Sequence, residues 1–409
     1  MTRVTIDMME VTRLTREGRL ADAMAVLREG CPSPSATSTD RARPGQTARM
    51  PVNRTATMPS MRSGVSSSSP HVPGETKRDT GGMQIPKSLR GFLDRMGQLA
   101  PGCGPKGLSG RPVKYPPAPL PDGARFEERV YANTAGSRTY KLYVPSGYKG
   151  RALPLVVMLH GCTQSPDDFA AGTRMNEVAE EQIFFVAYPA QAQSANASKC
   201  WNWFNAGDQL RDQGEPSLIA GITREIVRDL AVAPGRIYIA GLSAGGAAAA
   251  IMGATYPDLY AAVGVHSGLA CGAARDMPSA FAAMKQGASP ARQASRRQES
   301  PVPTIVFHGD RDTTVNPVNA DEVIAQAKAA MDLRSTISQG VADGGKSFTR
   351  AVHASADGKP VLEQWVVHGA GHAWSGGSAA GSYTDSRGPD ASREMIRFFL
   401  AQDHCRRDA

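Results

Sequence analysis

A serine acts as a nucleophile when a neighbouring base takes its proton and the chain presents its hydroxyl on a tight turn. Residues 237–246, IYIAGLSAGG, have the types for such a turn. Ile237, Tyr238, Ile239 and Ala240 form a short apolar strand pattern, Gly241-Leu242-Ser243-Ala244-Gly245 reads G-x-S-x-G, and the alanine run at 247–250 continues as helix. Gly241 and Gly245 leave room on either side of a serine in a strained conformation. The start of the helix beneath it favours developing negative charge. A glycine-rich turn with an incidental serine is the plain alternative, and the strand before and helix after argue against it. The chemistry expected here is acyl transfer through Ser243.

Such a serine needs a base, and the base needs an orienting carboxylate. In the α/β-hydrolase fold, which is built around this kind of elbow, they follow in the order Ser, Asp, His. Downstream, the strand pattern at 304–308 runs into HGDRDTTVNP, which offers Asp310 and Asp312 at the edge of the sheet where the elbow points. Asp312 is the choice, because four residues beyond His308 leave a turn that aims it inward. Asp310 would then cap or hydrogen-bond the loop; the bland reading makes both of them turn formers. The strand at 361–368 ends in VVHGAGHAW. His368 closes that strand, whereas His372 sits in a glycine-flanked loop from which its ring can reach Ser243, so His372 is the expected base. The tetrahedral oxyanion needs two donors: the Ala244 N–H, directly after the nucleophile, and the Cys162 N–H, in the loop after LVVMLH.

The elements that must hold these residues alternate. A β-hairpin is expected from 126–132 and 138–144 around the turn at 133–136. Strands are expected at 153–160, 183–188, 260–266, 304–308, 348–353 and 361–368, and helices at 167–182, 217–230, 319–331 and 392–400. That order implies a mostly parallel, doubly wound sheet with helices on both faces. Residues 272–300 read as a partial lid or a solvated insertion, with the insertion favoured.

The 409 residues exceed one such domain. Three segments are expected: a short amphipathic helix within 1–30 (8–29), a largely disordered, basic Pro/Ser/Gly-rich linker at 31–123 with a small helical patch at 85–99, and the catalytic domain at 124–402. Residues 1–115 carry a net charge of +9 and residues 116–409 a net of −1, so the overall +8 belongs to the extension. Without lysine clusters or interleaved aromatics, that charge does not predict nucleic-acid binding. No apolar run of about 18 residues predicts a membrane span. The charged start, MTRVTIDMMEVTRLTREGRL, does not read as a signal peptide and points to the cytoplasm. No CxxC or His/Cys cluster suggests a metal, and no cofactor is expected.

HGCTQSPDDFA, CWNWF, GLSAGGA and GHAWSGG, in this order, resemble the esterase family of poly(3-hydroxybutyrate) depolymerases of the secreted type, over roughly 126–400. The resemblance implies Ser243 as nucleophile, Asp312 as orienting acid, His372 as base and Cys162 as oxyanion donor. It also implies a polyester or ester substrate, Trp201 and Trp203 at a polymer-binding surface, and an extracellular setting. Feruloyl and acetylxylan esterases share the same motifs and stand as the alternative. The extension at 1–115 would be the segment that meets a polymer granule. In an oxidising compartment Cys162 and Cys200 would pair; in a reducing one they would stay thiols. For Trp201, Trp203 and Phe204 two readings are open, core filling or an exposed aromatic rim for an acyl chain. A serine peptidase uses the same triad, and a non-catalytic protein anchored through its basic extension is the rival outside catalysis.

Overall fold

The computed structural model describes residues 120–288, 302–328 and 331–402, all within Gly82–Ala409, the second of two units into which the chain divides. The helix expected at 8–29, the patch at 85–99 and the linker up to residue 119 lie outside the described residues.

The chain enters through the expected hairpin, β1 (Arg125–Asn133) and β2 (Gly136–Val144), with Asn133 opposite Gly136. The Asn133 side-chain oxygen accepts from the Ala135 N–H at 2.8 Å, which closes the turn. The strands β3 (Leu153–Leu159), β4 (Phe185–Pro189), β5 (Val232–Leu242), β6 (Ala262–His266) and β7 (Thr304–Gly309) follow, then β8 (Arg334–Val341), β9 (Ser347–Ala354) and β10 (Pro360–Val367). They form one sheet in the order β1-β2-β4-β3-β5-β6-β7-β10-β9-β8. From β4 to β10 neighbours run parallel, and both flanks are antiparallel.

Side chains alternate across a strand, so a sheet covered on both faces needs apolar residues at every position. In β3 every residue is buried. Leu155, Val157 and Leu159 join one apolar cluster, while Val156 and Met158 join the other. The first cluster is completed by Ile219, Ile222 and Ile226 of α3 (Gly214–Asp229), the alanines of α4 (Ala244–Thr255), and α6 (Val318–Lys328). The second is completed by Phe169 of α1 (Pro166–Thr173), Val178 of α2 (Met175–Gln182), and Met395 and Phe399 of α7 (Ala391–Leu400).

One expectation is corrected and two elements are added. The helix expected at 167–182 is two, because Arg174 adopts φ 57° and its N–H caps α1 on the Ala170 carbonyl. Part of the stretch at 272–300 is a helix, α5 (Met277–Gln286), started by a capping box in which Asp276 and Ser279 bond each other's backbone. And β8 was not expected at all: seven of its eight residues are exposed, so no apolar face marks it.

Candidate active site

The site is assembled at the carboxyl ends of β3, β5, β7 and β10. Ser243 joins β5 to α4 with φ 58° and ψ −120°, a region that strains any side chain. Its N–H donates to the His266 carbonyl at 2.8 Å, which pins the turn to β6. The flanking glycines are required sterically. A Cβ on Gly245 would collide with the Leu159 carbonyl of β3, and one on Gly241 with the Gly245 carbonyl. The turn is tight because these backbones touch.

His372 lies in the loop after β10. Its Nε2 is 2.8 Å from Ser243 Oγ and its Nδ1 is 2.6 Å from Asp312 Oδ2. Asp312, three residues past β7, is 6 % exposed. Its Oδ1 accepts from the N–H groups of Thr314 and Val315 at 2.8 and 2.9 Å, and His308 Nε2 stands 3.3 Å from Oδ2. Burial alone would push this carboxyl up. The hydrogen bonds and charge of His308 and His372 outweigh it and hold Asp312 well below the usual carboxylate range. Asp312 is thus an anion that fixes Nδ1 as the donating nitrogen of His372 and leaves Nε2 facing the serine hydroxyl.

Asp310 and His368 form a second pair, 3.0 Å apart, that does not face Ser243. Asp310 Oδ1 accepts from the Gly369 N–H at 2.7 Å, and the Arg311 N–H donates to the Ala370 carbonyl at 3.0 Å. These bonds tie the loop carrying Asp312 to the loop carrying His372.

Of the two expected oxyanion donors, Ala244 is the first residue of α4, directly after Ser243, and Cys162 lies in the turn after β3. The hydrogen bonds of this region leave the N–H of Cys162 and of Ala244 without a protein acceptor among the described residues. Cys162 follows Gly161, where an added Cβ would lie 3.6 Å from the Ser243 Cβ. Cys162 is joined to Cys200 by a disulfide, which fastens the CWNWF segment to this turn.

That segment is not an exposed rim. Trp201 is fully buried and Trp203 is 6 % exposed, both in the first apolar cluster. Trp201 donates from Nε1 to the His160 carbonyl at 3.1 Å, so its one polar atom is satisfied inside the protein. The rim reading is therefore corrected for both: their rings are packed inside the first apolar cluster, where they fill core. Beneath the segment lies a residue that sequence reasoning missed. The carboxylate of Glu215 accepts from the Asn202 N–H at 2.7 Å, from Asn202 Nδ2 at 2.8 Å and from Gln191 Nε2. Burial, with Asp208 nearby, pushes the Glu215 pKa up to about 7. Its only sequence signal is an acidic residue opening α3. His308, whose Nε2 lies 2.9 Å from the Val315 carbonyl and 3.3 Å from Asp312 Oδ2, was also missed, because at a strand end it reads as ordinary.

Among the described residues, no group of three or more His, Cys, Asp or Glu side chains is set to hold a metal ion. A groove of about 460 Å³ between the β1–β2 hairpin and α3, lined by Tyr131, Asn133, Ser217, Arg224 and Arg228, includes none of the residues around Ser243.

The model of the family described as Esterase PHB depolymerase matches residues 138–343. The poly(3-hydroxyalkanoate) depolymerase C of Paucimonas lemoignei is 35 % identical over 239 residues, 56 % of this chain and 57 % of that protein. The chain thus spans little more than half the length of this relative. The acetylxylan esterase of Coprinopsis cinerea is 25 % identical over 273 residues, covering 63 % of this chain and 71 % of that one. Among solved structures, an acetyl xylan esterase from Aspergillus awamori superposes with a TM-score of 0.50 at 20 % identity, over 64 % of this chain and 94 % of that chain. That likeness bears on the fold alone.

Proposed function

This chain belongs to the esterase PHB depolymerase family, and from that membership we propose that it is a serine carboxylic-ester hydrolase of poly(3-hydroxybutyrate) or 3-hydroxyalkanoate oligomer esters. The observation that carries the reading is the hydrogen-bonded chain Asp312–His372–Ser243, with links of 2.6 and 2.8 Å.

Ser243 Oγ attacks the ester carbonyl while its proton passes to His372 Nε2. The imidazolium that forms is stabilised by the Asp312 carboxylate on Nδ1. The carbonyl oxygen, now an anion, is held by the N–H groups of Cys162 and Ala244. His372 then gives its proton to the departing alkoxide, leaving an acyl group on Ser243 and a free alcohol. Water, deprotonated by the same Nε2, attacks the acyl-enzyme through a second tetrahedral anion; as the bond to Ser243 Oγ breaks, His372 returns the proton to that oxygen and the acid is released.

The substrate class is supported by the named activity of the Paucimonas relative. The second reading, an acetylxylan-type esterase, is supported by the Coprinopsis relative. The Cys162–Cys200 disulfide fits an oxidising compartment. We also propose that the basic extension, residues 1–115, makes contact with a polymer granule.

The test compares turnover of 3-hydroxybutyrate oligomers, amorphous polymer, acetylated xylan and p-nitrophenyl esters of increasing length. Higher kcat/KM on the hydroxybutyrate oligomers than on acetylated xylan is expected. The opposite ranking selects the second reading.

A further inference from the structure

Ser243 and His372 arrive from different elements, the end of β5 and the loop after β10, so the gap between them has to be set by what ties the two together. The loop is tied on both sides of His372. Before it, the Ala370 carbonyl accepts from the Arg311 N–H at 3.0 Å, which fixes the loop to the segment carrying Asp312. After it, the Ser375 N–H donates to His266 Nε2 at 3.0 Å. His266 closes β6, and its carbonyl is the group that accepts from the Ser243 N–H at 2.8 Å. We propose that His266 is a positioning residue for the reaction: its backbone holds the nucleophile, its ring holds the loop of the base, and one residue so sets the approach of His372 Nε2 to Ser243 Oγ. This inference rests on the esterase reading above.

The ring is itself held in place. His266 is 1 % exposed. Trp374, two residues after His372, stacks on it with centroids 4.9 Å and planes 25° apart. Phe307 of β7 stacks on it at 5.8 Å and 13°. The Ser375 N–H can only donate, so Nε2 accepts and the proton of the neutral ring is on Nδ1. That nitrogen faces Ser267 Oγ, 3.2 Å away. Burial, with His308 and His372 nearby, pushes the His266 pKa well below the usual histidine range, although the Asp312 charge opposes them. The ring is therefore a neutral acceptor at neutral pH. Other bonds of this loop lead elsewhere. The Trp374 N–H donates to the Tyr383 carbonyl at 2.7 Å, Trp374 Nε1 to Ser392 Oγ at 3.1 Å, and Ser375 Oγ to the Pro389 carbonyl at 2.7 Å. None of these three reaches the strands that hold Ser243, and the His266 ring does.

Phenylalanine and glutamine separate the two things that the ring supplies. Phe keeps the stack on Trp374 and Phe307 and offers no acceptor to Ser375. The Gln amide oxygen reaches toward the position of Nε2 and keeps that acceptor. With p-nitrophenyl butyrate, His266→Phe should lower kcat by about 10²-fold, the loss expected when reacting groups are misplaced by about 1 Å, while KM changes less than about threefold. His266→Gln should keep kcat within about tenfold of the wild type. Competent serines are counted in each preparation by titration to completion with diethyl p-nitrophenyl phosphate, and kcat is taken per titrated site. A role in stability alone would leave fewer sites, each turning over at the wild-type rate. In the ¹⁵N-histidine spectrum of the wild type near pH 7, His266 should be the neutral Nδ1–H form. That spectrum decides the matter if either variant does not fold. Wild-type kcat per site in His266→Phe, a folded His266→Gln as impaired as His266→Phe, a loss carried by KM alone, or an Nε2–H or charged His266 would each overturn the proposal. A wild type inert toward every ester would instead overturn the esterase reading.

Discussion

Replacing Asp312 by asparagine changes one atom, and the structure dictates where that atom goes. The carboxylate is met by three donors, the Thr314 and Val315 N–H groups on Oδ1 and His372 Nδ1 on Oδ2, while His308 Nε2, held by the Val315 carbonyl at 2.9 Å, stands 3.3 Å from Oδ2. The single oxygen of an asparagine is claimed by the two backbone donors, so its N–H₂ falls in the place of Oδ2. Two donors then face each other, and His372 escapes only by moving its proton to Nε2. In that tautomer Nε2 has no lone pair for the Ser243 proton. The expected loss is about 10⁴ in kcat, near 5 kcal/mol of barrier, with little change in KM. Asp310→Asn is the internal control. It faces Gly369 N–H and His368, neither of which touches Ser243. Its loss should stay under about tenfold, since His368 can exchange tautomers freely. The assay is kcat and KM on p-nitrophenyl butyrate, with thermal melts of all three proteins. An Asp312→Asn enzyme above about 1 % of wild type, or an Asp310→Asn enzyme that is the more impaired, would refute the reasoning.

Glu215 gives a pH-dependent stability. Its folded-state value, about 7, lies above the ordinary 4.5, so the native protein holds the extra proton between those limits. Stability from this group is therefore greatest below about pH 4.5 and falls as pH rises to about 7, by roughly 3 kcal/mol. Denaturant melts of wild type minus Glu215→Gln across that window should show the fall; a flat difference would mean that the donors around Glu215 offset its burial completely. Trp201→Ala should lower stability by about 3–5 kcal/mol, as loss of a buried aromatic does. If it raised KM on oligomers with no change in melting temperature, the tryptophan would be a surface contact after all.

Much of the site was legible because its geometry follows from strand ends. Once β5, β7 and β10 are recognised as apolar runs, whatever follows each one lies at the same sheet edge, and chain order assigns Ser243, Asp312 and His372. The glycines said where backbones touch. What stayed hidden depends on contacts between segments far apart in sequence. Nothing in CWNWF says whether its rings face in or out; burial of Trp201 follows from its bond to the His160 carbonyl and the Cys162–Cys200 link. The break falls on Arg174, while the nearby Gly172 lies inside α1 and not at the turn itself. The edge strand β8 lacks an apolar face because it borders solvent. The supporting residues, His266, His308 and Glu215, are ordinary types whose meaning comes from what they touch.

The central claim is that Ser243 is the acylated nucleophile, and covalent trapping tests it most directly. The protein would be treated with diethyl p-nitrophenyl phosphate, followed by intact-mass measurement and peptide mapping. One diethylphosphoryl group should be found per chain, within residues 237–275 and on Ser243, appearing in step with loss of esterase turnover. Ser243→Ala should neither take the label nor turn over ester. Label on another residue, or ester turnover retained by a folded Ser243→Ala, would contradict the account.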